Sequence, residues 1–191
     1  MGSSGRPPDL ENRRAVLEAT RQLLAEVGYS ALTIDGVAKR AELYRLLIYR
    51  TWETKQALVV DALFGDTPGF ETTDTGALVT DLRAFVAAHS AIITRPAHLR
   101  GLPGLTVELR ADRTLYKSVW STYVIPVETE LKRIVTRALE RGELRAPVDV
   151  PALNAAMTGM IQMLAAPGYM AGDQLVDYVT QFCLTGVLGP D

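Results

Sequence analysis

The sequence predicts an all-α chain of about nine helices, and three observations carry that expectation. Apolar residues recur at the three-and-four spacing of a helix face; capping and breaking residues punctuate the chain at short intervals; and no segment of useful length alternates as a strand does. At 191 residues, 48% of them hydrophobic and 22% charged, the chain has the length and balance of a globular protein with a sizeable core.

Taken in order, Met1–Gly5 is set aside as a flexible start, and Arg6, Pro7 and Pro8 complete an extended arm over residues 1–8. Val16, Leu23, Leu24 and Val27 form one apolar stripe of a first helix, with Asp9 as its cap and Gly28 as its stop. Thr33 caps a second helix reaching Arg40, a short third covers Tyr44–Arg50, and Thr54 caps a fourth ending near Phe64. The breaker cluster Gly65–Gly76 marks a boundary between a domain at 9–65 and another at 76–191. Longer helices follow over 76–94, 102–112, 113–141, 150–166 and 172–187, with Arg95-Pro96, Gly101-Leu102-Pro103, Gly142 and Pro167-Gly168 between them. Pro126 is expected to kink the longest of these or split it.

Composition excludes several classes. Cys183 is the only cysteine, so no intrachain disulfide can form, and its apolar setting fits a small core residue. The first residues lack a basic region followed by an apolar run, and no stretch of about 18 apolar residues exists to span a bilayer. The expected location is therefore the cytosol. Net charge is −2, which argues against indiscriminate coating of nucleic acid. Residues 1–65 carry nine Lys/Arg against eight Asp/Glu, the remainder eleven against fourteen, so only the N-terminal part is slightly basic. Neither of the two histidines nor Glu108 nor Cys183 sits in a nucleophile, metal or phosphate-loop motif; no catalytic residue, metal or cofactor is expected.

The stretch Thr33–Trp52 has the pattern of two short helices crossing steeply. Ala38 provides the small contact where the backbones approach, Leu43 follows the turn, Ile48 anchors the second helix, and Ile34 and Val37 complete the inner face. With its flanking helices this is a three-helix helix-turn-helix unit with a supporting fourth. Residues 13–63 resemble the DNA-binding domain of TetR-family transcription regulators. The resemblance lies in Leu24-Ala25-Glu26-Val27-Gly28-Tyr29, Leu32-Thr33-Ile34, Val37-Ala38-Lys39-Arg40-Ala41 and Ile48-Tyr49-Arg50-Thr51-Trp52-Glu53-Thr54-Lys55-Gln56-Ala57-Leu58.

That resemblance implies a bacterial, cytoplasmic regulator, associated with the nucleoid when bound, whose third helix enters the major groove. Tyr44, Arg45, Leu47 and Arg50 are then candidate base readers, with Arg45 suited to guanine. Thr33, Tyr49, Thr51 and Lys55 are candidate phosphate contacts. Two positions depart from the family pattern: Glu42 stands where a turn glycine is usual, and Tyr44 where a capping Ser or Thr is usual. Leu46 and Leu47 add apolar bulk suited to thymine methyl groups.

From residue 76 the family varies freely, and the resemblance implies a helical domain that binds a small molecule and dimerises through its last two helices. Ala155, Ala156, Gly159, Met160 and Met163, with Val176, Val179, Phe182, Cys183 and Val187, are the expected interface; packing within one chain is the alternative. Phe85, His89, Tyr116, Trp120, Tyr123 and Met160 are the candidate ligand-binding residues, Tyr116, Trp120 and Tyr123 sharing a helical face; an ordinary core is the alternative there too. A repressor released by its ligand from a pseudo-palindromic operator is the expected function. A helical interaction module without DNA binding is the competing one.

Overall fold

The computed structural model describes residues 8–65, 71–166 and 168–188, and all regular structure among them is helical. The order is α1 (Pro8–Ala31), α2 (Ile34–Arg40), α3 (Arg45–Thr51), α4 (Lys55–Phe64), α5 (Leu78–Ile93), α6 (Pro96–Ala111), α7 (Arg113–Val119), a π-helical turn (Trp120–Val124), α8 (Ile125–Glu140), α9 (Val150–Ala165) and α10 (Gly172–Leu188). The expected arm lies outside the described residues up to Pro7, as does part of the Gly65–Gly76 cluster.

Two compact units emerge from the packing. One joins α1–α4 to α6 and runs on to Lys117; the other holds α5 and everything from Ser118. The sequence reading placed α6 in a second domain spanning 76–191, whereas its contacts group it with the first four helices. Glycine is the physical reason. Gly101-Leu102-Pro103 reads as a break, yet α6 runs straight through it and through Gly104. A Cβ on Gly101 would lie 3.3 Å from the Leu24 side chain, and one on Gly104 only 2.7 Å from Tyr29 Cβ. Their bare backbone is what lets α6 lie close along α1.

In the first unit Val16, Leu17, Leu24, Ile48, Leu58 and Leu105 are buried and form the core. Gly28 interrupts α1 at φ 75°, the left-handed value that its role as a stop requires, and a further turn carries on to Ala31. Asp9 lies inside the first turn, where its charge suits the helix N-terminus, two residues later than a cap would be. Val27 is exposed, so the inward stripe of α1 runs through Val16, Leu17 and Leu24.

In the second unit Leu82, Phe85, Leu131, Ile134, Met157, Ile161 and Val179 make the core. The 113–141 segment is divided just ahead of Pro126, which stands in the first turn of α8. The chain widens to a π-helical turn immediately before it, the Ile125 N–H donating to the Trp120 carbonyl one residue further back than in an α-helix. Proline has no N–H for the carbonyl four residues earlier, and the widened turn absorbs that missing bond.

Candidate nucleic-acid interface

The corner between α2 and α3 is built from local chemistry. Thr33 Oγ1 accepts the Gly36 N–H at 3.0 Å and starts α2, leaving its own hydroxyl proton free to donate. Ile34, Val37 and Ala38 are buried beneath it. The chain then turns, with the Leu43 N–H donating to the Ala38 carbonyl at 3.0 Å. Glu42 takes φ 55° in that turn, the left-handed conformation expected of the usual glycine. Glu42→Gly should therefore stabilise the protein by about 1 kcal/mol, read as a higher urea midpoint; an unchanged or lower midpoint would show the turn to be unstrained.

Ile48 is fully buried and fixes α3 from beneath, while Trp52 closes its end. A second clamp comes from Asp61 on α4. It accepts from both Arg13 on α1, at 2.7 Å, and Trp52 Nε1, at 2.8 Å. Two helices, α1 and α4, thus hold the C-terminal end of α3, and the outer side of it faces outward.

The outward face contains most of the predicted readers. Tyr44 is 84% exposed and Leu46 69%, unusual values for large apolar groups that nothing among the described residues covers. Arg45 is exposed, its Nη1 3.3 Å from Asp35 Oδ1 and its guanidinium 5.5 Å from the Tyr49 ring centre. Arg50 and Thr51 are exposed as well, whereas Leu47 is half-buried. Leu47 turns toward α1, lining with Asn12, Arg13 and Arg50 a cleft of about 290 Å³. Leu46 is thus the leucine displayed at the surface. Asp35 was invisible to sequence reasoning as a partner of Arg45, because only the helix crossing brings the two together.

Lys55 opens α4 just after Thr54, whose Oγ1 accepts the Ala57 N–H at 3.1 Å. Its ammonium lies 4.1 Å from the Tyr29 ring centre. Burial pushes its pKa down, opposed by the charge of Glu108. Glu108 on α6 accepts the Tyr29 hydroxyl at 2.8 Å and also the Gln56 side chain. A phosphate contact by Lys55 would therefore draw on a side chain already held between α1, α4 and α6.

The candidate ligand residues are dispersed. Phe85 and His89 are buried in the second unit, their rings stacked with centres 6.0 Å apart. His89 Nε2 lies 2.9 Å from Thr158 Oγ1, and burial pushes its pKa down to about 4, leaving it neutral at pH 7. Tyr123 and Met160 are half-buried and Trp120 just exposed, all in that unit. Tyr116 belongs to the first unit and lines a cavity there with Arg110, Arg113 and Lys117. The shared face of Tyr116, Trp120 and Tyr123 assumed unbroken α-helical spacing, which the π turn at Trp120–Val124 removes.

Cys183 is buried, and burial raises its thiol to about 11, so no thiolate nucleophile is available at neutral pH. Among the described residues no group of three metal-ligating side chains comes together. No described helix is long and apolar enough to cross a membrane.

Residues 16–62 match the family described as "Bacterial regulatory proteins, tetR family", and residues 72–181 match "Tetracyclin repressor-like, C-terminal domain". The chain is 31% identical over 140 residues to the DNA-binding transcriptional repressor TetR of Mycobacteroides abscessus, covering 71% of this chain and 72% of that protein. It is 29% identical over 152 residues to the HTH-type transcriptional regulator YdeS of Bacillus subtilis, which is itself uncharacterized, covering 76% and 74%. A crystal structure of a TetR family transcription regulator superposes with TM-score 0.62 at 28% identity, covering 94% of this chain and all of that one. Regulators of this kind are non-enzymatic. With an outward α3 on a buried Ile48 anchor and both halves matched, the chain belongs to the TetR family of bacterial DNA-binding transcription regulators.

Proposed function

We propose that the chain is a repressor that binds a pseudo-palindromic operator as a homodimer and leaves it when a small molecule binds. The observation that carries this reading is the display of Tyr44, Arg45, Leu46 and Tyr49 on a short helix whose inner side is held by Ile48 and the Asp61 clamp. Arg45 reads a base edge, most favourably guanine, and its pairing with Asp35 sets its direction before DNA arrives. Tyr44 and Leu46 offer apolar contact to thymine methyl groups, and Arg50 reads alongside them. Thr33, Tyr49, Thr51 and Lys55 hold phosphates, and the half-buried Leu47 acts from beneath.

Dimerisation through α9 and α10 is supported by large apolar groups left uncovered there. Met163 is 75% and Phe182 57% exposed, with Tyr178 exposed one turn before Phe182 and Ala155 and Ala156 exposed on α9. Val176, Val179 and Cys183, expected at the interface, are instead buried in their own chain. The side chain of Val187 lies outside what the structure describes. A two-fold dimer requires a two-fold operator. The effector is assigned to the surroundings of Phe85, His89, Trp120, Tyr123 and Met160, where a neutral His89 gives one polar contact in an apolar setting. To act, it must bind the released form more tightly than the DNA-bound form.

Two substitutions separate reading from holding. Arg45→Ala should lose about 1–3 kcal/mol at one base pair of the operator, measured by fluorescence polarisation on single-base variants; an equal loss on random duplex would remove Arg45 from the readers. Lys55→Ala should weaken every duplex alike and reduce the slope of log affinity against log salt by about one. An unchanged slope would confine Lys55 to its Tyr29 contact.

A further inference from the structure

The geometry points to an anion-binding site on the first unit, formed by Arg110, Arg113, Tyr116 and Lys117, that takes a small phosphorylated molecule bearing a flat ring. These four side chains line one cavity of about 310 Å³, near the lower end of the range for small-molecule sites. Arg113, Tyr116 and Lys117 stand at i, i+3 and i+4 on one face of α7, and Arg110 joins them from the last turn of α6.

Positive charge is the chief feature of this cavity. Several arginines of the chain are paired with a carboxylate: Arg13 with Asp61, Arg40 with Glu26, and Arg83 with Asp173 and Asp177. Among the described residues Arg110, Arg113 and Lys117 have no such ion pair. The neighbouring carboxylates are engaged elsewhere. Asp112 accepts the Thr114 and Leu115 N–H groups, and Glu108 accepts from Tyr29 and Gln56. Three uncompensated cations around one concavity favour a multiply charged anion. Two arginine forks match phosphate oxygens in pairs, and lysine adds a point charge.

Tyr116 sets the rest of the ligand. A ring beside three cations offers a stacking face next to the anion, which suits a nucleotide-like compound better than a bare inorganic ion. No residue of α2 or α3 lines the cavity, so it is separate from the proposed reading surface. Nor does it involve Phe85 or His89, so it is distinct from the proposed effector region of the second unit.

Isothermal titration of the full chain with ADP, and separately with inorganic pyrophosphate, tests this. Saturable ADP binding is expected, tighter than pyrophosphate, and weakened at least about tenfold by Arg113→Gln with Lys117→Gln, the loss of one or two charge-assisted contacts. Tyr116→Ala should bring ADP down to the pyrophosphate level. Lys132→Gln, a cation of the second unit, should leave both unchanged, and thermal melts of each variant report whether it is folded. Absence of saturable binding to the wild type, or equal binding by the folded double variant, overturns the site. So does a double variant whose only defect is a uniform loss of affinity for duplex DNA without ADP, which would make the cluster a backbone phosphate contact.

Discussion

Asp81→Ala is expected to destabilise the second unit by about 1–3 kcal/mol, the cost of removing a buried carboxylate that accepts two hydrogen bonds and faces two arginines. Asp81 is fully buried on α5. Its Oδ1 accepts the Thr75 N–H at 2.8 Å and the Thr75 hydroxyl at 2.6 Å. Its Oδ2 lies 3.7 Å from Arg141 Nη2 and 3.9 Å from Arg137 Nη2 on α8. Those guanidiniums also meet Asp74, and Glu143 joins Arg141 while accepting the Leu78 N–H that opens α5. Removal of Asp81 leaves two arginines facing a hole and takes from Thr75 the acceptor that ties it to α5. Asp81→Asn keeps the shape and an acceptor but loses the charge, so a smaller loss is expected.

The same group gives the unit an acid sensitivity. Burial raises the Asp81 pKa, but the Thr75 hydrogen bonds and then the Arg137 and Arg141 charges bring it below its ordinary 3.8. A carboxyl lowered on folding stabilises fully above its unfolded value, and that contribution disappears as pH falls through the folded value. The wild type should therefore lose stability below about pH 3.8, and Asp81→Ala should lose less over that interval. Urea midpoints at pH 7 and pH 3 measure both effects. Equal midpoints for wild type and Asp81→Ala at pH 7 would show the cluster to be a surface ornament.

Ile48→Ala should cost about 2–5 kcal/mol, because a fully buried side chain leaves a cavity that a seven-residue helix cannot close. The loss falls on the buried residue of α3, so DNA affinity should collapse with it. Ile48→Val removes a single methyl and should cost about 0.5–1.5 kcal/mol while retaining DNA binding. Full affinity in a folded Ile48→Ala protein would mean that α3 is placed by other contacts.

Local chemistry made much of this architecture legible. The Thr33 and Thr54 caps, the Gly28 stop and the Ile48 anchor depend on residues within a few positions of one another, and each stands where the sequence puts it. Glu42 was recognisable as a left-handed residue through the family resemblance, which has glycine at that place in the turn. What failed depended on partners distant in sequence. Gly101 and Gly104 break helices by propensity, yet here they make room for Leu24 and Tyr29, which no local window contains. Pro126 marks where the long segment divides, as expected, but the π turn that accommodates its missing donor has no local signal in the sequence. Leu46 and Leu47 are adjacent and chemically alike, and only the position of α1 decides which of them faces outward. Val176, Val179 and Cys183 share an apolar stripe that suits an interface or a core equally, and the packing of α5 against α10 makes it core.

Selection of duplexes from a random pool by the full-length protein, followed by titration of the enriched site at several salt concentrations, addresses DNA reading by α3 most directly. The expected result is a site of two inverted half-sites about one helical turn apart. Its affinity should fall steeply with salt, and its preference at one base pair should vanish in Arg45→Ala. A pool without enrichment, or binding indifferent to salt and to Arg45→Ala, would contradict the reading of α3 as the helix that recognises DNA.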